Sequence, residues 1–289
     1  MPQIMGSVQR ETSGSDRQSS EHLELPLIES LHKARRFLSE HGILSDHVRL
    51  GPSVLPAQHL RFGGPEFKDD TFFLASGRKE AQRLIDRCRL TSETRILDIG
   101  CGVGRLAIGI LSQMDQPPRY WGIDVDIHSV RWCKRHIEAS QFRFHFDRIN
   151  ALNRRYNPGG MDVEASFRLP YENASFELVY LYSVFSHMMP KDVEVYLAEF
   201  YRLLTTTGQV FLTGFVENNV PDVVENPQGY RREWMGDLHC VRYEKGYFES
   251  LIRKTGFEIR AFDYGQETDG QSAFYLSRAN HGEGERLNG

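Results

Sequence analysis

Long apolar runs and an excess of positive charge are both missing from this chain. No apolar run approaches the roughly 18 to 20 residues that a membrane-spanning helix requires, and the N-terminus lacks the charged-then-apolar order of a signal peptide. The 35 Lys and Arg residues are outnumbered by 39 Asp and Glu residues, which gives a net charge of -4. A protein that holds a nucleic-acid backbone normally carries a basic excess. We therefore expect neither a membrane protein nor a nucleic-acid-binding protein.

Closely spaced cysteines are missing as well. The chain has four cysteines with no CxxC spacing and no paired framework, and these are Cys88, Cys101, Cys133 and Cys240. Such usage favours unpaired thiols over disulfides or a zinc site. The sequence thus predicts a cytoplasmic protein with no metal, and it leaves the oligomeric state open.

The two ends of the chain have the composition of disordered tails. Residues 1–21 are rich in Ser, Gln and charge, and residues 280–289 have the same character, so neither end offers much apolar surface to bury. Between them, residues 22–92 predict a cap that is part helical and part irregular. Apolar residues at helical spacing predict one helix over 23–38, and a second is predicted over 77–88.

From residue 93 to residue 279, short apolar runs alternate with helical patterns. The runs "RILDIG", "RYWGIDV", "FRFHF", "FELVYLYSV" and "GQVFLTGFV" read as buried strands, and most are followed by a helical pattern. Such alternation predicts an α/β fold, in which helices cover both faces of a parallel sheet. Residues 217–243 have no clear period, and we expect them to form a lid-like insert after the fifth strand.

The run "ILDIGCGVGRL" places an acid and three glycines between a strand and a helix. Asp98 lies near the end of the strand, and Gly100, Gly102 and Gly104 follow at every second position. Glycine is required where a ligand approaches the backbone too closely for a Cβ atom, and the N–H groups at a helix start can meet that ligand. A dinucleotide fingerprint would place its third glycine where this chain has Arg105.

The next two predicted strands also end near an acid. Asp124 is placed to accept hydrogen bonds from the two hydroxyls of a ribose, although it is also a candidate to cap the next helix, a role better suited to Asp126. Asp147 ends the third strand, and its alternatives are a solvated strand end or a partner for Arg148. Asp124 therefore supports an adenosine ligand without selecting one cofactor.

The glycine spacing indicates which cofactor binds. Asp98 followed by G-x-G-x-G resembles motif I of the class I S-adenosylmethionine (SAM) dependent methyltransferases. Within that family the chain resembles the bacterial enzymes that act on small molecules. The stretch "LPYENASFELVYLYSVFSHM" is similar to the family's approach to its fourth strand and to the loop after it. The resemblance covers residues 94–277. It implies a Rossmann-like sheet of seven strands in the order 3-2-1-4-5-7-6, the last strand antiparallel, with an N-terminal helical cap. SAM would lie across the carboxyl ends of strands one, two and four, where open α/β sheets bind ligands.

The resemblance also implies which residues hold SAM. Asp98, Gly100 and Gly102 would border the methionine part of SAM, Asp124 its ribose and Asp147 its adenine. The full set of expected cofactor-binding residues is Asp98, Gly100, Cys101, Gly102, Gly104, Asp124, Val125, Asp147 and Tyr182.

Candidates for the chemistry follow the fourth strand. His187 would face the methyl group and is the candidate base for a hydroxyl acceptor, the alternative being a packing or capping role. His239, in the insert, offers the same chemistry. The ring of Tyr182 could contact the sulfonium cation or belong to the core. The segment "YRREW", residues 230–234, could meet an anionic or sugar-like substrate.

These features predict an enzyme that moves a methyl group from SAM to a hydroxyl or amine of a small molecule, such as a sugar, a lipid or a secondary metabolite. Such transfer chiefly requires donor and acceptor to be aligned within about 3 to 3.5 Å. The motifs of nucleobase, pyrimidine-carbon and protein-arginine methyltransferases are not seen. Two alternatives are a non-catalytic SAM-binding partner or sensor and an NAD-dependent oxidoreductase, and Arg105 argues against the second.

Overall fold

A computed structural model describes residues 34, 35, 37, 38 and 42–279 of the chain. The expected tails, 1–21 and 280–289, lie outside the described residues, as does most of the helix expected over 23–38. The chain divides into two compact units, Met1–Asp46 and His47–Gly289. In the first unit the described residues 34, 35, 37 and 38 are helical.

The described part of the second unit contains eleven strands and five α-helices. The strands are β1 (His47–Leu50), β2 (Ser53–Pro56), β3 (Arg95–Ile99), β4 (Arg119–Asp124), β5 (Phe144–Arg148), β6 (Phe176–Leu181), β7 (Leu204–Glu217), β8 (Val223–Glu225), β9 (Val241–Glu244), β10 (Phe257–Asp263) and β11 (Ser272–Arg278). The helices are α1 (Asp70–Cys88), α2 (Arg105–Leu111), α3 (Ile127–His136), α4 (Pro190–Leu203) and α5 (Lys245–Lys254).

The main sheet has the strand order β5-β4-β3-β6-β7-β11-β10. Neighbours from β5 to β7 are parallel, and β11 is antiparallel to both β7 and β10. Counted along the chain from β3, with β8 and β9 left out, this is the order 3-2-1-4-5-7-6 with the last strand antiparallel. The predicted α/β fold is confirmed.

Two strands of this sheet were not expected from the sequence. β9 pairs in parallel with the end of β7, and β8 pairs with β9, so the stretch 217–243 is partly strand. Only Val241 and Tyr243 provide the buried face of β9, and this pattern is too short to show a period among polar neighbours. The cap also contains an unexpected hairpin, β1 with β2.

Helix α1 begins earlier than the sequence indicated. The expected start was Gly77, but the helix begins at Asp70, and the carboxylate of Asp69 caps it by accepting a 2.7 Å hydrogen bond from the Phe72 N–H group. Gly77 instead lies inside the helix, where α1 crosses α2. The glycine that resembled a helix boundary is therefore a packing residue.

The core lies on both faces of the sheet. Helices α1, α2 and α3 contribute buried apolar residues to one face, and α4 and α5 contribute to the other. The four cysteines are buried free thiols. Among the described residues, no helix combines the length and apolar character needed to cross a bilayer.

Candidate functional site

The three glycines form the turn between β3 and α2. Gly100, Gly102 and Gly104 have φ values of 71°, 52° and 75°, in the left-handed region that favours glycine. A Cβ atom at Gly100 would lie 2.6 Å from Val184, and one at Gly104 would lie 2.7 Å from Ile137. At Gly102 such an atom would meet only a ring carbon of Phe62, 4.0 Å away. The turn therefore requires glycine for its conformation, and at Gly102 it borders open space.

Asp124, at the end of β4, binds this turn directly. One carboxylate oxygen accepts a 2.8 Å hydrogen bond from the Gly102 N–H group, and the other accepts one of 2.8 Å from the Asp126 N–H group. Asp126 is the N-cap of α3 and accepts from the backbone N–H of Ser129 at 3.2 Å. Burial raises the pKa of the Asp124 carboxyl to about 6, although the N–H donors oppose this rise. The capping role thus falls to Asp126, and Asp124 is left at the turn.

Asp98 lies deeper than expected, in the core beneath the turn. Its residue surface is 3% exposed, and its carboxylate accepts a hydrogen bond from the Tyr120 hydroxyl. Burial raises its pKa to about 7, while the Tyr120 hydroxyl and the charge of Arg105 oppose that rise. Contact between Asp98 and the methionine part of SAM stays a prediction.

Arg105 begins α2 directly after the turn, and in the sequence analysis it served only to argue against a dinucleotide-binding fingerprint. Its guanidinium lies 4.7 Å from the ring centroid of Tyr182 and 5.6 Å from that of Phe67. Within the described residues it makes these ring contacts and no ion pair with a carboxylate. The Arg105 guanidinium therefore lies next to the glycine turn without a direct ion pair, although the charges of Glu80 and Asp98 are near enough to raise its pKa.

Tyr182 is anchored at both its ring and its hydroxyl. One ring contact is with Arg105, and the hydroxyl oxygen lies 2.9 Å from the Oγ1 atom of Thr268. The ring therefore already contacts one cation, and its contact with a sulfonium stays a prediction.

The remaining expected cofactor residues lie at the edge of this region. Asp147 forms a 3.1 Å ion pair with Lys134, and their side chains are 54% and 48% exposed. Arg148 does not pair with Asp147 but donates to the Val125 carbonyl at 3.2 Å. Cys101 is buried, and burial raises the pKa of its thiol well above the usual value, as befits a small packing residue.

His187 ends a short helical turn, Phe185–His187, just after β6. Its Nδ1 atom lies 2.8 Å from the carbonyl oxygen of Leu238. Because a carbonyl can only accept, Nδ1 carries the hydrogen, and Nε2 keeps its lone pair. Burial lowers the pKa of His187 to about 4, and the charge of Arg155 acts in the same direction. At neutral pH this imidazole is neutral, with Nε2 as a proton acceptor.

His239, the second candidate base, is held within the insert. Its Nδ1 atom contacts both the N–H group and the carbonyl of Met235, at 3.1 and 2.9 Å. Its ring lies 5.2 Å from that of Trp234, and burial lowers its pKa to about 4. Its contacts keep it with the insert, so His187 is the better candidate.

Phe62 and Tyr156 form an aromatic path from the turn to His187, which sequence reasoning missed. A Phe62 ring carbon lies 4.0 Å from the position of a Cβ atom on Gly102. The Phe62 and Tyr156 rings meet edge-on at 6.0 Å, and the Tyr156 and His187 rings at 5.4 Å. Phe62 is 39% exposed and Tyr156 38% exposed. Their one signal in the sequence was an aromatic residue in each of two glycine-rich segments, "RFGGP" and "RRYNPGG".

Known proteins share both the sequence pattern and the fold. Residues 96–208 match a family model described as a methyltransferase domain. The O-methyltransferase rstn1 of Aspergillus nomiae is 25% identical over 222 residues, which cover 74% of this chain and 86% of that protein. An uncharacterized protein of Haemophilus influenzae is 25% identical over 157 residues, 52% of this chain, and the match spans only 55% of that relative.

Solved structures show the same fold. The structure of the [4+2]-cyclase SpnF superposes with a TM-score of 0.51 at 16% identity, over 70% of this chain and 81% of that one. The family match sets aside the NAD-dependent oxidoreductase. With the confirmed strand order and the glycine turn, it shows that this chain carries a class I, S-adenosylmethionine-dependent methyltransferase domain.

Proposed function

We propose that the protein is an O-methyltransferase that methylates a hydroxyl group of a small molecule, with His187 as the base. The observation that carries this proposal is the neutral imidazole of His187, whose Nδ1 hydrogen is donated to the Leu238 carbonyl, so that Nε2 is the nitrogen that can accept a proton. The similarity to an O-methyltransferase supports a hydroxyl acceptor over an amine. Sugars, lipids and secondary metabolites are all compatible with this chemistry, and a cytoplasmic location stays a prediction.

We infer that the cofactor is held at the glycine turn, whose residues fit its chemistry. Gly102 borders open space, and the Asp124 carboxylate at the end of β4 suits two ribose hydroxyls. The methionine end of the cofactor carries a carboxylate, for which Arg105 is the nearby cation, since within the described residues it forms no direct ion pair. When bound, S-adenosylmethionine supplies an activated methyl group.

The proposed task of His187 is to remove the proton of the acceptor hydroxyl. An oxygen that gains a methyl group becomes positively charged, and its O–H proton becomes strongly acidic. A base with a pKa near 4 can accept that proton, because the methylated oxygen is far more acidic than the imidazolium that forms. An amine acceptor needs only its own lone pair, so a positioned neutral imidazole favours a hydroxyl.

Phe62 and Tyr156 are proposed to flank the acceptor. Both rings are only partly exposed, and they lie between the glycine turn and His187. Aromatic walls favour a flat acceptor and exclude water from the reacting groups.

The test is methyl transfer from isotopically labelled SAM to a panel of hydroxylated small molecules, read by mass spectrometry. The variants are His187→Gln and, as the matched control, His239→Gln. We expect His187→Gln to bind S-adenosylhomocysteine normally and to lose about 100-fold to 10,000-fold in kcat, as is typical for removal of a general base. His239→Gln should keep most activity. Full activity in His187→Gln contradicts the role of the base, and cofactor binding without transfer to any acceptor favours the sensor alternative.

A further inference from the structure

Arg155 lies near His187 and, among the described residues, has no ion-pair partner of opposite charge. Within the described residues its guanidinium forms no ion pair with a carboxylate, and its buried Nε atom has no hydrogen-bond partner. The guanidinium carbon lies 5.6 Å from the ring centroid of Tyr156, the residue that packs against His187. By contrast, the adjacent Arg154 forms a 2.7 Å ion pair with Glu225.

The groups around Arg155 leave its positive charge unbalanced. It faces His187 and His239, which are both neutral at pH 7, and its charge lowers the pKa of each imidazole. On another side lies Gly236, where a Cβ atom would be 3.7 Å from an Nη1 atom of Arg155. A partly buried arginine is costly unless its donors are satisfied, so this arrangement suits a bound anion.

The two arginines of the "YRREW" segment are less suited to bind an anion, because both already form ion pairs. Arg231 is paired with Glu217 at 3.0 Å, and Arg232 is paired with Asp269 at 3.0 Å. An anionic substrate would have to displace a carboxylate from either one. Arg155 is therefore a better candidate to bind an anionic substrate than the arginines of this segment.

We propose that Arg155 binds a carboxylate of the methyl acceptor, so that the acceptor is a flat, hydroxylated carboxylic acid. This inference rests on the proposed function of His187 and adds the chemical class of its substrate. The planar fork of a guanidinium matches a carboxylate through two parallel hydrogen bonds. A carboxylate held there fixes one end of the acceptor beside Tyr156 and leaves a ring hydroxyl free to approach Nε2 of His187.

The test measures binding of hydroxybenzoates and of the corresponding hydroxybenzamides to the full chain saturated with S-adenosylhomocysteine. The two members of each pair have nearly the same shape, but the amide lacks the negative charge and has an NH2 donor in place of one acceptor oxygen. Calorimetry is applied to the wild type, to Arg155→Gln, to the conservative Arg155→Lys and to the matched control Arg154→Gln. Inorganic phosphate is titrated as a separate probe.

We expect the wild type to bind at least one hydroxybenzoate about tenfold to a hundredfold more tightly than its amide, as for a charge-assisted bidentate pair. Arg155→Gln should abolish this preference, Arg155→Lys should keep part of it, and Arg154→Gln should keep all of it. A wild type with no preference for the acids, or a preference that survives in Arg155→Gln, overturns the inference. Tighter binding of phosphate than of any hydroxybenzoate also overturns it.

Failure of this inference is distinguishable from failure of the proposed function. If hydroxybenzamides are methylated in a reaction that requires His187, the proposed function stands and the anionic acceptor is wrong. If the wild type does not bind S-adenosylhomocysteine, both are wrong.

Discussion

Gly77 of α1 and Gly109 of α2 lie against each other where the two helices cross. A Cβ atom at Gly77 would clash with the carbonyl oxygen of Arg105, and one at Gly109 would clash with the backbone of Gly77. Backbone atoms cannot move aside as the end of a flexible side chain can, so only glycine permits this approach. The crossing packs the cap helix against the helix that follows the glycine turn.

Alanine at Gly77 should therefore destabilise the fold. We expect Gly77→Ala to lower the free energy of unfolding by about 1 to 3 kcal/mol, because the added methyl group overpacks the crossing by more than helix propensity gains. Urea unfolding measures this difference. Gly159→Ala is the control, since nothing lies within 4 Å of a Cβ atom there, and it should stay within about 0.5 kcal/mol of the wild type. Equal stability of the two variants would mean that the helices do not require this close approach.

Two glycines of the glycine turn, Gly102 and Gly104, should respond differently to the same substitution. A Cβ atom at Gly104 meets Ile137 and Cys133, whereas one at Gly102 meets only the Phe62 ring, at 4.0 Å. Gly102→Ala should thus cost roughly 1 to 2 kcal/mol of backbone strain but leave the fold intact. Gly104→Ala should cost more, because it adds a steric clash.

The two variants are compared by thermal unfolding and by titration with S-adenosylhomocysteine. Gly102→Ala should remain folded and lose most of its affinity, because the new methyl group occupies the open side of the turn. Undiminished affinity in a folded Gly102→Ala protein would place the cofactor elsewhere.

Asp98 should make stability fall as the pH rises. Its folded pKa is raised to about 7 by burial, above the value of about 3.9 for an unfolded chain, so the folded state holds a proton that the unfolded state releases between those values. Stability is highest below pH 4 for this group and is lost as the pH rises towards 7, by an amount on the order of a few kcal/mol.

Asp98→Asn isolates this effect, because an asparagine can still accept the Tyr120 hydrogen bond but does not titrate. From pH 4 to pH 7 the free energy of unfolding of the wild type should therefore fall relative to that of Asp98→Asn. Asp147→Asn, at an exposed ion pair, serves as the control and should show no such growth. A constant difference for Asp98→Asn over this range would show that the carboxyl is ionised throughout.

The α/β fold was predictable because most main strands are short apolar runs followed by a helical pattern. The strand order was not read from this pattern and came from the resemblance to the class I methyltransferases. Strand β9 was not predictable, because its buried face consists of only two residues. The start of α1 was misplaced because a glycine inside a helix resembles a boundary until its packing against another helix is seen.

Part of the candidate site, the glycine turn, was predictable because its conformation is a property of the backbone itself. The glycines occupy left-handed conformations at a strand-to-helix turn, and Asp124 contacts that turn. Phe62, Tyr156 and Arg155 lie in segments without a period, and they join the site only through contacts between distant parts of the chain. No local pattern in the sequence carries that information.

The most direct test of cofactor binding at the glycine turn is calorimetric titration of the full chain with S-adenosylhomocysteine, for the wild type beside Asp124→Ala. The wild type should bind at micromolar concentrations, and saturation at about 100 times the dissociation constant should stabilise it by roughly 2.7 kcal/mol in thermal unfolding. Asp124→Ala should stay folded and bind at least about tenfold more weakly, because the ribose loses a charged hydrogen-bond acceptor. Equal affinity of the two proteins, or no binding by the wild type, would contradict cofactor binding at this turn.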